Sequence, residues 1–122
     1  MASFILYQRK NRTLDHTAAL LQSDGTAFNI AASDRVQVRI GSNLAAPDLT
    51  LDSLAATANG SSVTATVGSN AVTFRVTEAD ANALQIKSYD CQVVVIDASE
   101  TAGQRTKHAQ DGIFQILPAT TG

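Results

Sequence analysis

Apolar and polar residues alternate with a period of two along most of the chain. Val36, Val38 and Ile40 are separated by Gln37 and Arg39; Val63, Ala65 and Val67 by Thr64 and Thr66; Val72, Phe74 and Val76 by Thr73 and Arg75. A strand turns successive side chains to opposite faces, so each run predicts a strand with one apolar and one wet face. Gly68-Ser69-Asn70 between the second and third runs is a turn composition and predicts a hairpin. Ser23-Asp24-Gly25, between Ala18 to Gln22 and Thr26 to Ile30, predicts another. From Tyr89 to Ile96 the run is nearly all apolar, as a central strand covered on both faces requires. A final run, Ile113 to Leu117, follows Asp111-Gly112 and stops at Pro118, and Phe4 to Gln8 reads as an edge strand. Seven or eight short strands at this spacing predict a sandwich or barrel.

One segment departs from the alternation. Thr77 to Leu84 is rich in Ala, with Glu78 and Asp80 in its first turn, and Thr77 and Asp80 have capping-box spacing. One or two helical turns are expected here, with Leu84 plugging the sandwich. Asn59 to Ser62 reads as a loop and Ala98 to Gln104 as a polar hairpin tip. The chain then divides into an N-terminal arm or edge strand (1–13), a β-sandwich domain (14–118) and a short tail (119–122).

Composition narrows the picture. A chain of 122 residues has room for one core. With 5% aromatic residues and no Trp, that core must come from Val, Ile, Leu, Ala and four Phe. The formal charge of −2 gives no general attraction for nucleic acid or acidic membranes. The single cysteine, Cys91, cannot form an intramolecular disulfide. The apolar stretch Phe4-Ile5-Leu6-Tyr7 is too short for a leader core, and basic residues follow it rather than precede it. No run approaches the roughly 20 apolar residues of a membrane helix. A soluble protein made in the cytoplasm is expected.

Candidate chemistry is sparse. His16 and His108 lack the spacing of a metal site, and His108 with Asp111 is the best available pairing. Cys91 lies within an apolar strand and reads as a buried, inert thiol. Asp90 and Asp97 bracket that strand about 23 Å apart, too far to share acid–base work. No phosphate loop, nucleophile elbow or zinc-protease helix motif occurs. Asn11-Arg12-Thr13 and Asn59-Gly60-Ser61 match the glycosylation acceptor pattern, which is short enough to arise by chance. The expectation is a protein that is not an enzyme and has no catalytic residue, cofactor or metal. With two Tyr and no Trp the chain is poorly equipped to stack on sugars.

Two segments are candidates for partner contact. Phe4, Ile5, Leu6 and Tyr7 are expected to be buried, either by a partner or as the domain's own first strand. Arg9, Lys10 and Arg12 form a basic cluster, read either as a solvated segment or as an arm reaching an acidic neighbouring subunit. The second segment is the polar tip, from which Thr101, Arg105 and Lys107 are candidates.

The order of features resembles a known family. Ala18 to Gln22, Ser23-Asp24-Gly25 and Asn29 to Ser33 lead into Val36 to Ile40. Val72 to Val76 runs into a Thr-led helical turn with Leu84. A Tyr89-x-Cys91-x-Val93 strand follows, and the domain closes near Gly112-Ile113-Phe114. Over residues 14–117 this is similar to the immunoglobulin-like β-sandwich at the N-terminus of phage baseplate upper proteins and related tail proteins. The resemblance implies an all-β, immunoglobulin-like antiparallel sandwich of seven or eight strands with one short helical turn. It also implies a non-enzymatic decoration or adaptor role in the virion, on head, tail or baseplate. Partners would be capsid or tail subunits, in a homo-oligomer or symmetric array, with no nucleic acid and no membrane. The alternative is a soluble module that binds carbohydrate or another surface ligand.

Overall fold

The computed structural model describes residues 4–97 and 105–119, and for Arg105 the backbone alone. Eight strands and one helix occur among the described residues: β1 (Phe4–Arg9), β2 (Leu14–Ala19), β3 (Asp34–Gly41), β4 (Leu49–Asp52), β5 (Ser62–Ala65), β6 (Ala71–Val76), α1 (Glu78–Ala83), β7 (Ser88–Asp97) and β8 (Arg105–Leu117). They form a five-stranded sheet in the order β1-β8-β7-β3-β4 and a three-stranded sheet in the order β2-β6-β5. The core lies between them. Its largest fully buried side chains are Phe74, Phe114, Leu20, Ile40, Leu51 and Ile116.

The alternating runs bury the residues that the pattern selects. Val36, Val38 and Ile40 on β3, Val63 on β5, and Val72, Phe74 and Val76 on β6 all face the core. Gly68-Ser69-Asn70 does join β5 to β6, with Gly68 at a φ of 83° that favours glycine. Val67 was expected inside but is 61% exposed. The chain has already turned there, since Ser69 N–H donates to the Thr66 carbonyl and Gly68 N–H to that of Ile30.

The near-continuous apolar run becomes β7, the middle strand of the large sheet. Tyr89, Cys91, Val93 and Val95 face the core, while Val94 and Ile96 are buried on the other face. That outer face also carries Arg35, Gln37 and Arg39, through the register Ile96↔Arg35, Val94↔Gln37 and Gln92↔Arg39. The long stems of such side chains can lie over apolar neighbours while their heads stay polar. Their heads form a network in which Arg35 grips Asp52 and Gln37 donates to the same carboxylate at 3.0 Å.

At the start of β7, the hydroxyl oxygen of Tyr89 accepts the N–H of Gln85 at 2.8 Å, two residues before Cys91. This tyrosine corner fixes the turn between α1 and β7. Together with the two-sheet arrangement, it makes the fold an immunoglobulin-like sandwich.

Several expectations need correction. The sandwich is not wholly antiparallel, because β1 runs parallel to β8. β1 and β8 lie at opposite ends of the chain and need no tight turn between them, so sterics of connection do not force the antiparallel sense. The last strand is longer than the run Ile113 to Leu117, since β8 starts at Arg105 and Asp111-Gly112 lies within it, with Gly112 opposite Cys91. Ser23-Asp24-Gly25 does reverse the chain, with Gln22 N–H bonded to the Thr26 carbonyl, but only the bridge Leu21↔Ala27 forms beyond it. β2 pairs instead with β6. β4 was not foreseen; four residues are too few for alternation to stand out.

The capping box does not form. Thr77 precedes α1 without a side-chain cap, and its hydroxyl donates to the Asn59 carbonyl at 3.1 Å. The buried Asp80 carboxylate turns to the 57–61 loop instead, accepting from Ser61, from Thr57 Oγ1 at 2.7 Å and from Asn59 Nδ2 at 2.9 Å. Burial would raise its pKa, but the bonds from Ser61, Asn59 and Thr57 outweigh that and hold it low. Leu84 is buried in the core as expected.

Gly112 has a packing role. A Cβ there would stand 2.6 Å from three atoms of the Phe4 ring, which lies across the strand. Gly112→Ala is therefore expected to displace the ring and cost about 1–3 kcal/mol. Measured by denaturant unfolding, the cost should largely vanish in a Phe4→Ala background; equal costs in both backgrounds would show that the ring is not the obstacle.

Candidate functional site

Side chains on a strand alternate between faces, and backbone N–H and C=O pairs alternate between edges. The Lys10 N–H donates to the Leu117 carbonyl at 3.0 Å, so Lys10, Gln8 and Leu6 turn their backbone groups towards β8. Ile5, Tyr7 and Arg9 consequently turn theirs away, to the edge of the large sheet that is free among the described residues. The same three residues point their side chains outward. Ile5 and Tyr7 are each 57% exposed, and Ile113, in register with Ile5, is 43% exposed. Backbone donors, backbone acceptors and apolar side chains thus coincide on one edge.

The edge is held firmly from beneath. Leu6 is buried in the core, and Phe4 packs against it. Gln8 is also buried; its Nε2 donates to the Val76 carbonyl of the opposite sheet at 2.9 Å and to the Arg12 carbonyl at 2.8 Å. Its Oε1 is buried without a hydrogen-bond partner among the described residues. Gln110 on β8 does a similar job. Its Nε2 donates to the Ala19 carbonyl at 3.1 Å and its Oε1 accepts from Leu21 N–H at 3.1 Å. Sequence reading missed both glutamines. No signal marked them, since Phe4 to Tyr7 is apolar throughout and residues 105–111 do not alternate, so parity there emerges only from the register of β1 and β8.

The other edges differ. β4 and β5 have only four residues each. β2 is as long as β1, but it carries the Asp15–Arg75 ion pair at 2.7 Å and the paired hydroxyls of Thr17 and Thr73. Short or charged edges resist strand addition. On β1 the charge comes at the end: Arg9 donates to the Pro118 carbonyl, Lys10 to the Asn82 carbonyl, and Arg12 is exposed. Neither Arg9 nor Lys10 has a carboxylate partner among the described residues.

The expected docking residues therefore separate. Ile5, Tyr7 and Arg9 share the open edge, with Lys10 and Arg12 beyond it, whereas Phe4 and Leu6 belong to the core side. Lys107 sits near the other end of β8, where its Nζ pairs with Asp34 at 2.8 Å. Thr101 and the Arg105 side chain lie outside the described residues.

The titratable residues do not converge. His16 lies against the Phe74 ring and His108 stacks on Phe28 at 4.6 Å. Asp111 accepts instead from Gln92 at 2.9 Å. Among the described residues no three His, Cys, Asp or Glu side chains gather as metal ligands. No described helix is long and apolar enough to cross a membrane. A groove of about 460 Å³ between the 42–49 loop and the 83–89 segment is large enough for a small ligand. Its one aromatic ring, that of Tyr89, is 4% exposed and carries the Lys87 ammonium at 4.9 Å from its centroid, so it offers little surface for a sugar.

No protein-family model matches the chain, and no curated protein matches it significantly.

Two measurements follow from the electrostatics. Burial pushes the Cys91 thiol up to about 12, so native protein at pH 8 should resist alkylation and label only on unfolding. Labelling at the rate of a free thiol would show that the strand is open. Asp52 is drawn from 3.8 to about 2, first by the Arg35 hydrogen bonds, against an opposing effect of burial. Its folded pKa lies below the unfolded one, so it contributes about 2 kcal/mol above pH 4, lost as pH falls through 2. Asp52→Asn should flatten the stability profile between pH 4 and 2; an unchanged profile contradicts the assignment.

Proposed function

We propose that the chain is a non-enzymatic structural module of a bacteriophage particle. It docks on neighbouring head or tail proteins by accepting a strand at β1. The observation that carries this reading is the coincidence of free backbone groups and exposed apolar side chains on Ile5 and Tyr7. Each new backbone hydrogen bond is worth about 0.5–1.5 kcal/mol net. Covering the exposed part of Ile5 and Tyr7 adds roughly 1–2 kcal/mol each. Strand addition uses both terms at once. Arg9, Lys10 and Arg12 at the end of the strand favour a partner with acidic residues there. The resemblance to the sandwich domains of phage baseplate and tail proteins supports the setting. A carbohydrate-binding role has less support, given the covered Tyr89 ring.

Tyr7→Pro tests the reading cleanly. The Tyr7 N–H points to the free edge, so proline removes a docking donor without breaking the ladder to β8. Virions of the encoding phage should contain the wild-type chain at fixed copy number and should lose the folded Tyr7→Pro chain. A chain absent from purified virions, or a variant retained at full copy number, overturns the proposal.

A further inference from the structure

The β1 edge is complementary to itself. The register places Ile5 beside Ile113 and Ile113 beside Asp90, all on the outer face of the large sheet. Asp111 lies on the same face of β8, two residues before Ile113. Asp90 and Asp111 are exposed, and neither has a cationic partner among the described residues. The patch therefore runs from an acidic end through Ile5, Ile113 and Tyr7 to a basic end at Arg9. A polar axis of this kind fits an antiparallel copy of itself.

Backbone parity allows the fit. In an antiparallel pair the residues that exchange both hydrogen bonds stand directly opposite each other. With Tyr7 on a two-fold axis, Tyr7 faces Tyr7, and Ile5 of each copy faces Arg9 of the other. All three outward residues of each strand then bond across the axis. The axis is perpendicular to the sheet, so both outer faces stay on the same side and the apolar residues merge into one stripe. The two Arg9 side chains lie about four strand residues apart, roughly 14 Å and beyond a Debye length at physiological salt. Each Arg9 instead lies directly beside Ile5 of the other copy, so its stem extends the apolar row of Ile5 and Ile113 while its head faces the acidic end.

We infer that the binding partner of the β1 edge is a second copy of this chain, added antiparallel about Tyr7 to give a continuous ten-stranded sheet. This inference rests on the docking reading above and names its occupant. Such an interface is isologous and closes at two.

Sedimentation equilibrium of the full chain tests it, at concentrations up to about 0.5 mM because a single strand pair is a small interface. The mass should double with concentration, and Tyr7→Pro should remain monomeric with an unchanged melting profile. Ile5→Lys, which sets a second cation directly beside the other copy's Arg9, should weaken dimerisation at least tenfold, and adding Arg9→Glu in the same chain should recover at least fivefold of that loss. A monomer at every concentration, a dimer that Tyr7→Pro retains, or an Ile5→Lys loss that Arg9→Glu does not reduce would each overturn the pairing. A monomeric chain that needs Tyr7 to enter the virion refutes the pairing and leaves the docking reading intact. A dimer lost in Tyr7→Pro, in a chain that virions do not contain, supports the pairing and refutes the particle role.

Discussion

In the parallel ladder between β1 and β8, Phe4 stands opposite Gly112, and its ring fills the space where a side chain at 112 would be. That register sets the parity of the whole strand. Leu6 and Gln8 must point into the core, and their backbone groups must bond to β8. Ile5, Tyr7 and Arg9 must then point outward and present their backbone to the free edge. A slip of one residue would bury Tyr7, expose Leu6 and reverse both assignments. The aromatic ring over a strand glycine is a device that pins register in designed sheets as well.

The rest of the sandwich makes that edge a fixed platform. Gln8 and Gln110 tie the β1–β8 side of the large sheet to backbone carbonyls of the small one. Because both glutamines are buried, breaking either bond would strand a side-chain amide away from water. Tyr89 secures the entry to β7, and β7 carries the centre of the core. The remaining edges are short or charged, so exposed backbone and exposed apolar surface coincide mainly at β1. Fold alone does not assign function, and it is this edge, rather than the sandwich, that is suited to docking.

Much of this was legible in the sequence. The alternation around Val36, Val63 and Val72 identified three core faces, the run from Tyr89 to Ile96 identified the central strand, and Leu84 was recognised as a plug. Pairing was not legible, because alternation specifies faces but says nothing of neighbours or their sense. The early start of β8 was not legible either, and the requirement for glycine at 112 comes from Phe4, more than a hundred residues away. The Asp80 carboxylate looked like part of a cap because its real partners, in the 57–61 loop, compete only once the chain has folded. Phe4 to Tyr7 was legible only as an apolar block, and its division into inward and outward residues needed the register with β8.

Residue-resolved amide hydrogen exchange at the β1 edge tests the central claim most directly. In the dilute chain, the N–H groups of Ile5, Tyr7 and Arg9 should exchange rapidly while those of Leu6 and Gln8 are protected by β8. On docking, the three odd-numbered amides should become protected, with the even-numbered ones unchanged. Uniform behaviour along β1, or docking that leaves Tyr7 exchanging freely, would contradict the account.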